Sequence, residues 1–284
     1  MGTAELAGAA KTSLDLAGRT ALITGASGGI GQALALALAQ AGVAVCLLGR
    51  DAARLAATAA QARRYGGLVV AVPLELTDDA GLRALPGMLP PAFARLDFLV
   101  HAAGIVRHGL LGTQGVAELD EQYQLNVRAP YLLTQLLLPR LAAEGSVVFI
   151  NSMAAIISRA QNGQYAATKA ALKALADSLR EELRPAGVRV LSVYPGRVAT
   201  PLTAQLCIED NQPYAPAAYI QPADLAELVV SVLRLPATAI LHDLPVRSAP
   251  RPATTPAQPP ATRYLTEPAP AVAAFFHPQP VFTP

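Results

Sequence analysis

The chain has 284 residues, a formal net charge of +2 and 15% charged residues. This length suits one large domain, or one domain with a tail, and the nearly balanced charge excludes the strongly basic surface of a nucleic-acid-binding protein. Two cysteines and four scattered histidines form no disulfide framework and no metal-ligand spacing. No metal site is therefore expected, and a reducing, cytoplasmic compartment is favoured.

Neither a signal peptide nor a membrane span is expected near the N-terminus. Residues 1–15 lack both a basic leader and a sustained apolar block, and they are expected to form a flexible leader. Residues 20–49 carry no charge, but glycines interrupt them and much of the remainder is alanine. A buried strand-helix-strand unit accounts for this composition better than a membrane-spanning helix.

A glycine-rich turn lies inside this first unit. Residues 19–24 predict a buried strand, the alanine-leucine run after residue 31 predicts a helix, and residues 43–48 predict a second strand. Gly25, Gly29 and Gly31 allow a tight turn and let a pyrophosphate approach the helix N-terminus, where free N–H groups favour an anion. The alternative is a turn that only packs the helix on the strand.

Arg50 follows the end of the second strand, at Gly49. An acidic residue near this point commonly accepts hydrogen bonds from the ribose 2′-OH of NAD, whereas an arginine suits the 2′-phosphate of NADP. The sequence therefore favours NADP, with a solvated surface arginine as the alternative. Asp51 is expected to cap a helix over residues 52–64.

Strands and helices alternate along the rest of the domain. The remaining predicted strands and helices are strands 68–72, 96–100, 146–150, 189–193 and 240–246, and helices 117–143, 163–184 and 222–233. The alternation predicts an α/β fold: a Rossmann-type, doubly wound, mostly parallel seven-stranded sheet with helices on both faces. Ligands of such sheets bind at the carboxyl ends of the strands, where the glycine-rich turn, Ala103-Gly104, Ser152 and Pro195-Gly196 all fall.

Tyr165 and Lys169 lie four residues apart in the helix predicted over 163–184. This spacing places both side chains on one helix face, where an ammonium can stabilise a phenolate and lower the phenol pKa from about 10. The alternative is a core tyrosine and a solvated lysine. His101 lies at the end of a strand, and two interpretations remain: a contact to the cofactor, or a packed and hydrogen-bonded core residue.

The chain changes character at residue 248. Residues 248–284 are proline-rich and poor in large apolar groups, which predicts a disordered or extended tail.

Taken together, the motifs resemble the classical short-chain dehydrogenase/reductase family over about residues 15–247. The motifs, in the family's order, are Thr24-Gly25-x-x-x-Gly29-Ile30-Gly31, Ala103-Gly104, Asn126, Ser152, Tyr165-x-x-x-Lys169 and Pro195-Gly196-x-Val198-x-Thr200. The resemblance implies one dinucleotide-binding domain over residues 16–247 that also carries the active site.

The resemblance also implies a division of roles among four catalytic residues. Tyr165 would be the general acid/base, and Ser152 would hydrogen-bond the substrate oxygen. Lys169 would bind the nicotinamide ribose and lower the pKa of Tyr165. Asn126 would hold a water that relays protons to Lys169, with a satisfied polar residue of the helix as the alternative.

For the cofactor, NADP or NAD, the resemblance implies a longer set of contacts, in which residues 195–200 line the nicotinamide. The full set is Gly25, Ser27, Gly29, Ile30, Gly31, Arg50, Glu75, Leu76, Ala103, Gly104, Tyr165, Lys169, Pro195, Gly196, Val198 and Thr200. Two departures from the family pattern affect the adenosine half. His101-Ala102 stands where the family usually has Asn-Asn, and Glu75 with Leu76 stands where it usually has an Asp.

The expected substrate wall is mostly apolar. It comprises Met153, Ala154, Ile156, Ile157, Tyr194 and the stretch 202–220, which includes Cys207 and is expected to form a mobile lid. Met153, Ile157, Tyr194 and Cys207 are the candidate substrate contacts. A hydrophobic ketone, aldehyde or secondary alcohol fits this wall better than a small anion, unless Arg107, His108 or Arg197 points inward.

The sequence thus predicts an NADP-preferring oxidoreductase that acts on a carbonyl/alcohol pair, most readily as a ketone or aldehyde reductase. The alternatives are an NAD(H)-dependent alcohol dehydrogenase, an epimerase or dehydratase on the same scaffold, and a non-catalytic NAD(P)-sensing protein that uses the proline-rich tail. Because family members often pack the helices containing Asn126 and Tyr165 against their copies, a homodimer or homotetramer is expected.

Overall fold

The protein is built on one seven-stranded sheet. A computed structural model describes residues 13–236 and 238–249, and its strand order is β3-β2-β1-β4-β5-β6-β7. The strands are β1 (Thr20–Thr24), β2 (Ala44–Gly49), β3 (Val69–Pro73), β4 (Leu96–His101), β5 (Leu141–Ile150), β6 (Arg189–Pro195) and β7 (Asp243–Val246). The prediction of a seven-stranded doubly wound sheet is confirmed. The pairings are parallel throughout, rather than mostly parallel.

Helices connect successive strands and cover both faces of the sheet. In the described residues the α-helices are α1 (Gly29–Gln40), α2 (Ala52–Ala62), α3 (Asp79–Met88), α4 (Val116–Tyr123), α5 (Ala129–Leu137), α6 (Gly163–Leu183), α7 (Pro201–Glu209) and α8 (Pro222–Leu233). None of these helices is long and apolar enough to cross a membrane.

The core has one apolar cluster on each face of the sheet. In β1, Ala21 and Ile23 pack with residues of α1, α2 and α8, while Leu22 between them packs with residues of α3, α5 and α6. Successive side chains of a strand point to opposite faces, so a strand covered on both sides is continuously apolar, as residues 20–24 are.

The helix predicted over 117–143 is interrupted. A π-helical segment, Gln124–Arg128, separates α4 from α5, and β5 begins at Leu141, five residues before the predicted start of its strand. Pro130 lies in the first turn of α5 and has no N–H, so it cannot donate the α-helical hydrogen bond to the carbonyl of Asn126. The main-chain carbonyl of Asn126 therefore lacks its α-helical donor.

The ends of the predicted domain are only partly described. Of the predicted leader, residues 1–12 lie outside the described residues. The Leu14 N–H donates to the carbonyl of Arg234 at 2.7 Å, and Leu16 is buried, so the folded domain already includes residue 14. Of the tail predicted over 248–284, only residues 248 and 249 are described.

Candidate active site

The glycine-rich turn packs directly against the loop that follows β4. A Cβ at Gly25, whose φ is 68°, would lie 2.8 Å from the backbone of Ala103. The Thr24 hydroxyl accepts hydrogen bonds from the N–H groups of Ala102 at 3.0 Å and Ala103 at 3.2 Å. Two of the predicted cofactor segments are thereby fixed to each other, and only a glycine at position 25 permits so close an approach.

The N-terminus of α1 is open to an anion. No side chain caps this end of the helix, and its first turn contains no acidic residue. A Cβ at Gly29 would lie 3.3 Å from Cγ2 of Thr200, so the turn also reaches the segment after β6. Free N–H groups and the helix dipole at such an end suit a pyrophosphate. The residues present therefore fit a dinucleotide.

Two arginines lie near the junction of β2, α2 and the glycine-rich turn. Arg50 is largely exposed, with 73% of its side chain accessible, and its Nη1 is 4.0 Å from Oε2 of Glu75. Asp51 caps α2 as predicted, accepting from the N–H of Arg54 at 3.0 Å. A Cβ at Gly28 would overlap the guanidinium of Arg54, which therefore lies on the turn itself.

Sequence reasoning did not single out Arg54. The available signal was its position in the first turn of α2, four residues after Arg50. Within the described residues, the guanidinium of Arg54 forms no ion pair.

The two predicted cofactor residues after β3, Glu75 and Leu76, lie in different environments. Glu75 remains near the surface, where its Oε1 accepts from the N–H and hydroxyl of Thr77. Leu76 is buried in the core cluster with Leu82 and Leu85, so its side chain lies away from the main cavity. An apolar side chain next to a sheet gains more free energy from the core than from a solvent-facing cleft.

Ser152, Tyr165 and Lys169 line one cavity of about 590 Å³ at the carboxyl ends of β4, β5 and β6. Tyr165 and Lys169 stand one turn apart on α6, with Nζ 5.8 Å from the centroid of the phenol ring. Lys169 Nζ donates to the carbonyl of Ile150 at 3.1 Å. Ser152 follows β5, and its hydroxyl accepts from the N–H of Ala154 at 3.1 Å.

Burial controls the ionisation of this group. It raises the pKa of the Tyr165 phenol, and the neighbouring Ser152 side chain opposes that rise. Burial also lowers the pKa of Lys169 from 10.5 to about 8. The sequence predicted that the Lys169 ammonium lowers the pKa of the Tyr165 phenol. In the structure the largest influence is instead burial, which raises that pKa because low polarity penalises the phenolate.

Asn126 is buried and its side chain does not line the cavity. Its Oδ1 accepts from the N–H of Ile105 at 2.9 Å, and its Nδ2 donates to the Ile105 carbonyl at 2.8 Å and to the Thr168 hydroxyl at 3.1 Å. These bonds fix the loop after β4 to Thr168 of α6, three residues from Tyr165. The side chain of Asn126 is therefore engaged in hydrogen bonds within the protein.

His101 is a core residue. Its Nε2 is 2.8 Å from the Thr134 hydroxyl, and its ring stacks on Phe149 with centroids 4.9 Å apart. Burial lowers the pKa of His101 to about 3, so the ring is neutral. Of the two alternatives left by the sequence, the packed and hydrogen-bonded histidine is correct.

The segment after β6 forms a second wall of the cavity. Pro195, Gly196, Val198 and Thr200 all line it, as does Ile30 from the glycine-rich turn. The Gly196 N–H donates to the carbonyl of Val246 at 2.8 Å, and Thr200 caps α7 by accepting from the N–H of Thr203. The segment predicted to face a nicotinamide therefore stands opposite the turn predicted to hold the pyrophosphate.

The apolar part of the cavity matches most of the predicted substrate wall. Met153, Ile157 and Cys207 line it, with Leu202 and Leu206 of α7. The first half of the stretch predicted as a lid is thus a helix.

Tyr194 is misplaced in the sequence prediction. It lies inside β6, is 1% exposed, and its hydroxyl donates to Asp243 at 3.1 Å. Burial is the main cause that raises its pKa to about 12. Ile156 also lies outside the cavity and is 53% exposed.

The cavity also contains charged side chains, among them two of the three that the sequence analysis named as exceptions to an apolar wall. Arg159, Arg197 and Arg247 line it, together with His108, whose Nδ1 is 2.8 Å from Oδ2 of Asp210 at the end of α7. Arg107 points elsewhere and pairs with Glu121. No group of histidine, cysteine or acidic residues in the described part of the chain could hold a metal ion.

Comparison with known proteins identifies the family. The family model described as short chain dehydrogenase matches residues 19–211. The chain belongs to the short-chain dehydrogenase family. It is accordingly an NAD(P)-dependent oxidoreductase.

Three relatives within the short-chain dehydrogenase family illustrate the range of similarity. A 3-oxoacyl acyl-carrier-protein reductase of rhamnolipid biosynthesis from Pseudomonas aeruginosa is 35% identical over 230 residues, or 76% of this chain and 90% of that protein. Ketoacyl reductase HetN from Nostoc is 33% identical over 231 residues, or 80% of this chain and 79% of that protein. A metagenomic short-chain oxidoreductase, solved in complex with NADP, superposes with a TM-score of 0.71 at 31% identity, over 84% of this chain and 100% of that chain.

Proposed function

We propose that the protein is an NADP(H)-dependent reductase of ketones or aldehydes. The observation that carries this proposal is the convergence of Ser152, Tyr165 and Lys169 on one cavity, next to an uncapped helix N-terminus that suits a pyrophosphate. The substrate carbonyl is placed against the two hydroxyl groups, with Ile30 and residues 195–200 on the cofactor side.

The protein supplies orientation and the proton. When bound, the nicotinamide supplies the hydride that the carbonyl carbon accepts. Ser152 donates a hydrogen bond to the carbonyl oxygen, which polarises it, and Tyr165 donates the proton that completes the alcohol. Lys169 holds positive charge beside the phenolate that remains, 5.8 Å from the ring centroid.

Reprotonation of Tyr165 needs a path from solvent, and the main-chain carbonyl of Asn126 is the proposed anchor of a relay water. Pro130 withholds the α-helical donor from that carbonyl, and the side chain of Asn126 is fully engaged elsewhere. The backbone geometry, rather than the amide side chain, thus supports the relay.

A preference for NADP over NAD is proposed from two arginines. Arg50 is exposed just after β2, and Arg54 lies on the glycine-rich turn with no ion-pair partner in the described residues. Guanidinium groups bind phosphate oxygens with paired hydrogen bonds, which the 2′-phosphate of NADP offers and the ribose hydroxyl of NAD does not.

The first test compares the binding of NADPH and NADH by nucleotide fluorescence in wild type, Arg50→Ala and Arg54→Ala. Arg64→Ala, which removes an exposed arginine just after α2, is the control. Wild type is expected to bind NADPH at least about tenfold more tightly than NADH, and each cleft variant to lose most of that difference. Equal affinities in wild type would refute the NADP preference but not the reductase.

The second test screens carbonyl substrates by NADPH oxidation, with Tyr165→Phe as the inactive variant. Two relatives are named ketoacyl reductases, so 3-oxoacyl thioesters belong in the screen beside simple ketones and aldehydes. An epimerase or dehydratase would convert substrate without net cofactor oxidation. A non-catalytic sensor would bind the dinucleotide and reduce nothing.

Self-association through α4 and α5 is proposed from their exposed apolar side chains. Val116 is 71% exposed, Tyr123 48% and Tyr131 54%, and the helices that carry them flank Asn126. Light scattering of wild type is expected to give the mass of a dimer or tetramer. A monomer at micromolar concentration would refute this proposal.

A further inference from the structure

Three arginines line the cavity, and each lies in the segment that follows one of three neighbouring strands. Arg159 follows β5, Arg197 follows β6 and Arg247 follows β7 directly, and these three strands are adjacent. The carboxyl ends of parallel strands meet at one edge, and the segments that follow these three strands each contribute one arginine to the cavity lining. Gly196 connects two of them, since a Cβ there would lie 3.9 Å from Cα of Arg247.

The protein leaves these arginines without carboxylate partners. Among the described residues, no Asp or Glu oxygen lies within 4 Å of a guanidinium nitrogen of any of the three, although other arginines are paired. The single carboxylate of the described cavity lining, Asp210, is held by His108 at 2.8 Å. Three positive charges lining one cavity make its electrostatic potential positive, which favours the binding of an anion.

Arg197 is held at the wall. Its Cζ lies 6.0 Å from the ring centroid of Tyr219, which also lines the cavity. A guanidinium that stacks on an aromatic ring keeps its N–H groups free to donate in the plane of the guanidinium.

The lining of this one cavity contains the hydroxyl groups of Ser152 and Tyr165, the three arginines and apolar side chains such as Ile157, Leu202 and Leu206. We infer that the substrate carries an anionic oxygen group, a carboxylate or a phosphate, joined by an apolar segment to the carbonyl that is reduced. This inference rests on the proposed reductase function, and it replaces the sequence expectation that a hydrophobic, uncharged substrate fits best.

The test uses two matched pairs of carbonyl compounds with NADPH. Acetoacetyl-CoA, which carries phosphates, is compared with the neutral acetoacetyl thioester of N-acetylcysteamine. Levulinate, which carries a carboxylate, is compared with its ethyl ester. The proteins are wild type, Arg159→Gln, Arg197→Gln, Arg247→Gln and the triple variant, with Arg64→Gln as the matched control outside the cavity.

In at least one pair, wild type is expected to favour the charged member by about tenfold or more in kcat/KM, because charge-assisted hydrogen bonds to a substrate anion are strong. The triple variant is expected to lose most of that ratio, and Arg64→Gln none of it. A preference confined to acetoacetyl-CoA identifies a phosphate group, and one confined to levulinate identifies a carboxylate. High salt should reduce the ratio in wild type.

Three outcomes overturn the inference. The first is equal use of both members of both pairs by wild type. The second is a charged-to-neutral ratio that the triple variant leaves unchanged. The third is a loss of NADPH affinity in the arginine variants that matches their loss of turnover, which would assign the arginines to the cofactor.

Failure of the reductase itself is distinguishable. If no carbonyl compound is reduced, calorimetry with CoA and with succinate on the NADP-loaded protein still tests the anion site. Binding that the triple variant abolishes would retain the anion site and reject the reductase, and absence of binding would reject both.

Discussion

Lys169 provides a stringent test of the electrostatics, because it is 3% exposed and its ammonium donates to the carbonyl of Ile150. Burial lowers its pKa from 10.5 to about 8. The native state therefore binds fewer protons at this residue than the unfolded chain between those two pH values. The contribution of Lys169 to stability must rise with pH across that window, and the full cost of its buried charge, about 3 kcal/mol, applies below the lower end.

The variant Lys169→Met removes this titration. Between about pH 7.5 and pH 9.5, the free energy of unfolding of wild type should rise by about 2 kcal/mol relative to that of the variant. The lost hydrogen bond to Ile150 costs the variant about 1 kcal/mol at either pH. This cost cancels when the change in unfolding free energy between the two pH values is compared for wild type and variant, so that comparison measures the titration alone. Urea unfolding followed by circular dichroism at both pH values supplies it.

Lys173→Met is the matched control for this experiment. Lys173 lies one turn further along α6, is 36% exposed and pairs with Asp177 at 2.6 Å. Its removal should leave the pH dependence of wild type in place. Parallel stability curves for wild type and Lys169→Met would refute the argument, since they would mean that the Lys169 charge is not desolvated. Activity of Lys169→Met should fall at least about 10²-fold in either case, because the phenolate loses its neighbouring cation.

Three further substitutions test other parts of the structure. Tyr165→Phe should lower kcat by at least about 10²-fold with little change in NADPH affinity, and near-normal turnover would exclude the proposed proton donor. Gly25→Ala should weaken NADPH binding by more than about tenfold and lower Tm, because its φ of 68° and the 2.8 Å approach of the β4 loop both oppose a Cβ. Gly66→Ala is the control for φ alone, since its φ is 82° but nothing lies within 4 Å of the added Cβ. Tyr194→Phe should cost about 1 kcal/mol of stability and leave kcat/KM within about twofold, and a tenfold loss of activity would contradict its place in the core.

The fold was predictable because its signals are local. The buried strand at 20–24, the glycine-rich turn and the strong helix former after it each have a distinct pattern, and parallel pairing follows from their alternation. The pairing of Tyr165 with Lys169 was equally predictable, since helical periodicity alone places the two side chains on one face.

The errors arise where an element boundary or a contact between distant segments decides the outcome. Strand β6 continues to Pro195, two residues beyond the predicted end, and this turns Tyr194 from a loop residue into a core residue. Leu76 was predicted to contact the cofactor because the family resemblance places it beside Glu75, where the family usually has an Asp, but its side chain packs into the core. The interruption between α4 and α5 has one local signal, Pro130, which the apolar pattern around it obscures.

The arginines of the cavity could not be predicted in this way. Arg159 and Arg247 are separated by a long stretch of chain, and only the order of β5, β6 and β7 in the sheet brings them to one edge. No spacing along the sequence encodes that proximity. The same holds for Arg54, which meets Gly28 because the N-terminus of α2 lies beside the glycine-rich turn.

This contact between Gly28 and Arg54 makes the two positions interdependent. The φ of Gly28 is 172°, an extended conformation that any residue adopts, so the constraint at this position is the space that the end of the Arg54 side chain occupies. A larger residue at position 28 would displace the guanidinium of Arg54. A shorter residue at position 54 would leave room for a side chain at position 28. Substitutions at the two positions should therefore combine non-additively in a double-mutant cycle. A redesign of cofactor preference in this enzyme has to treat them as one site, even though they belong to different helices.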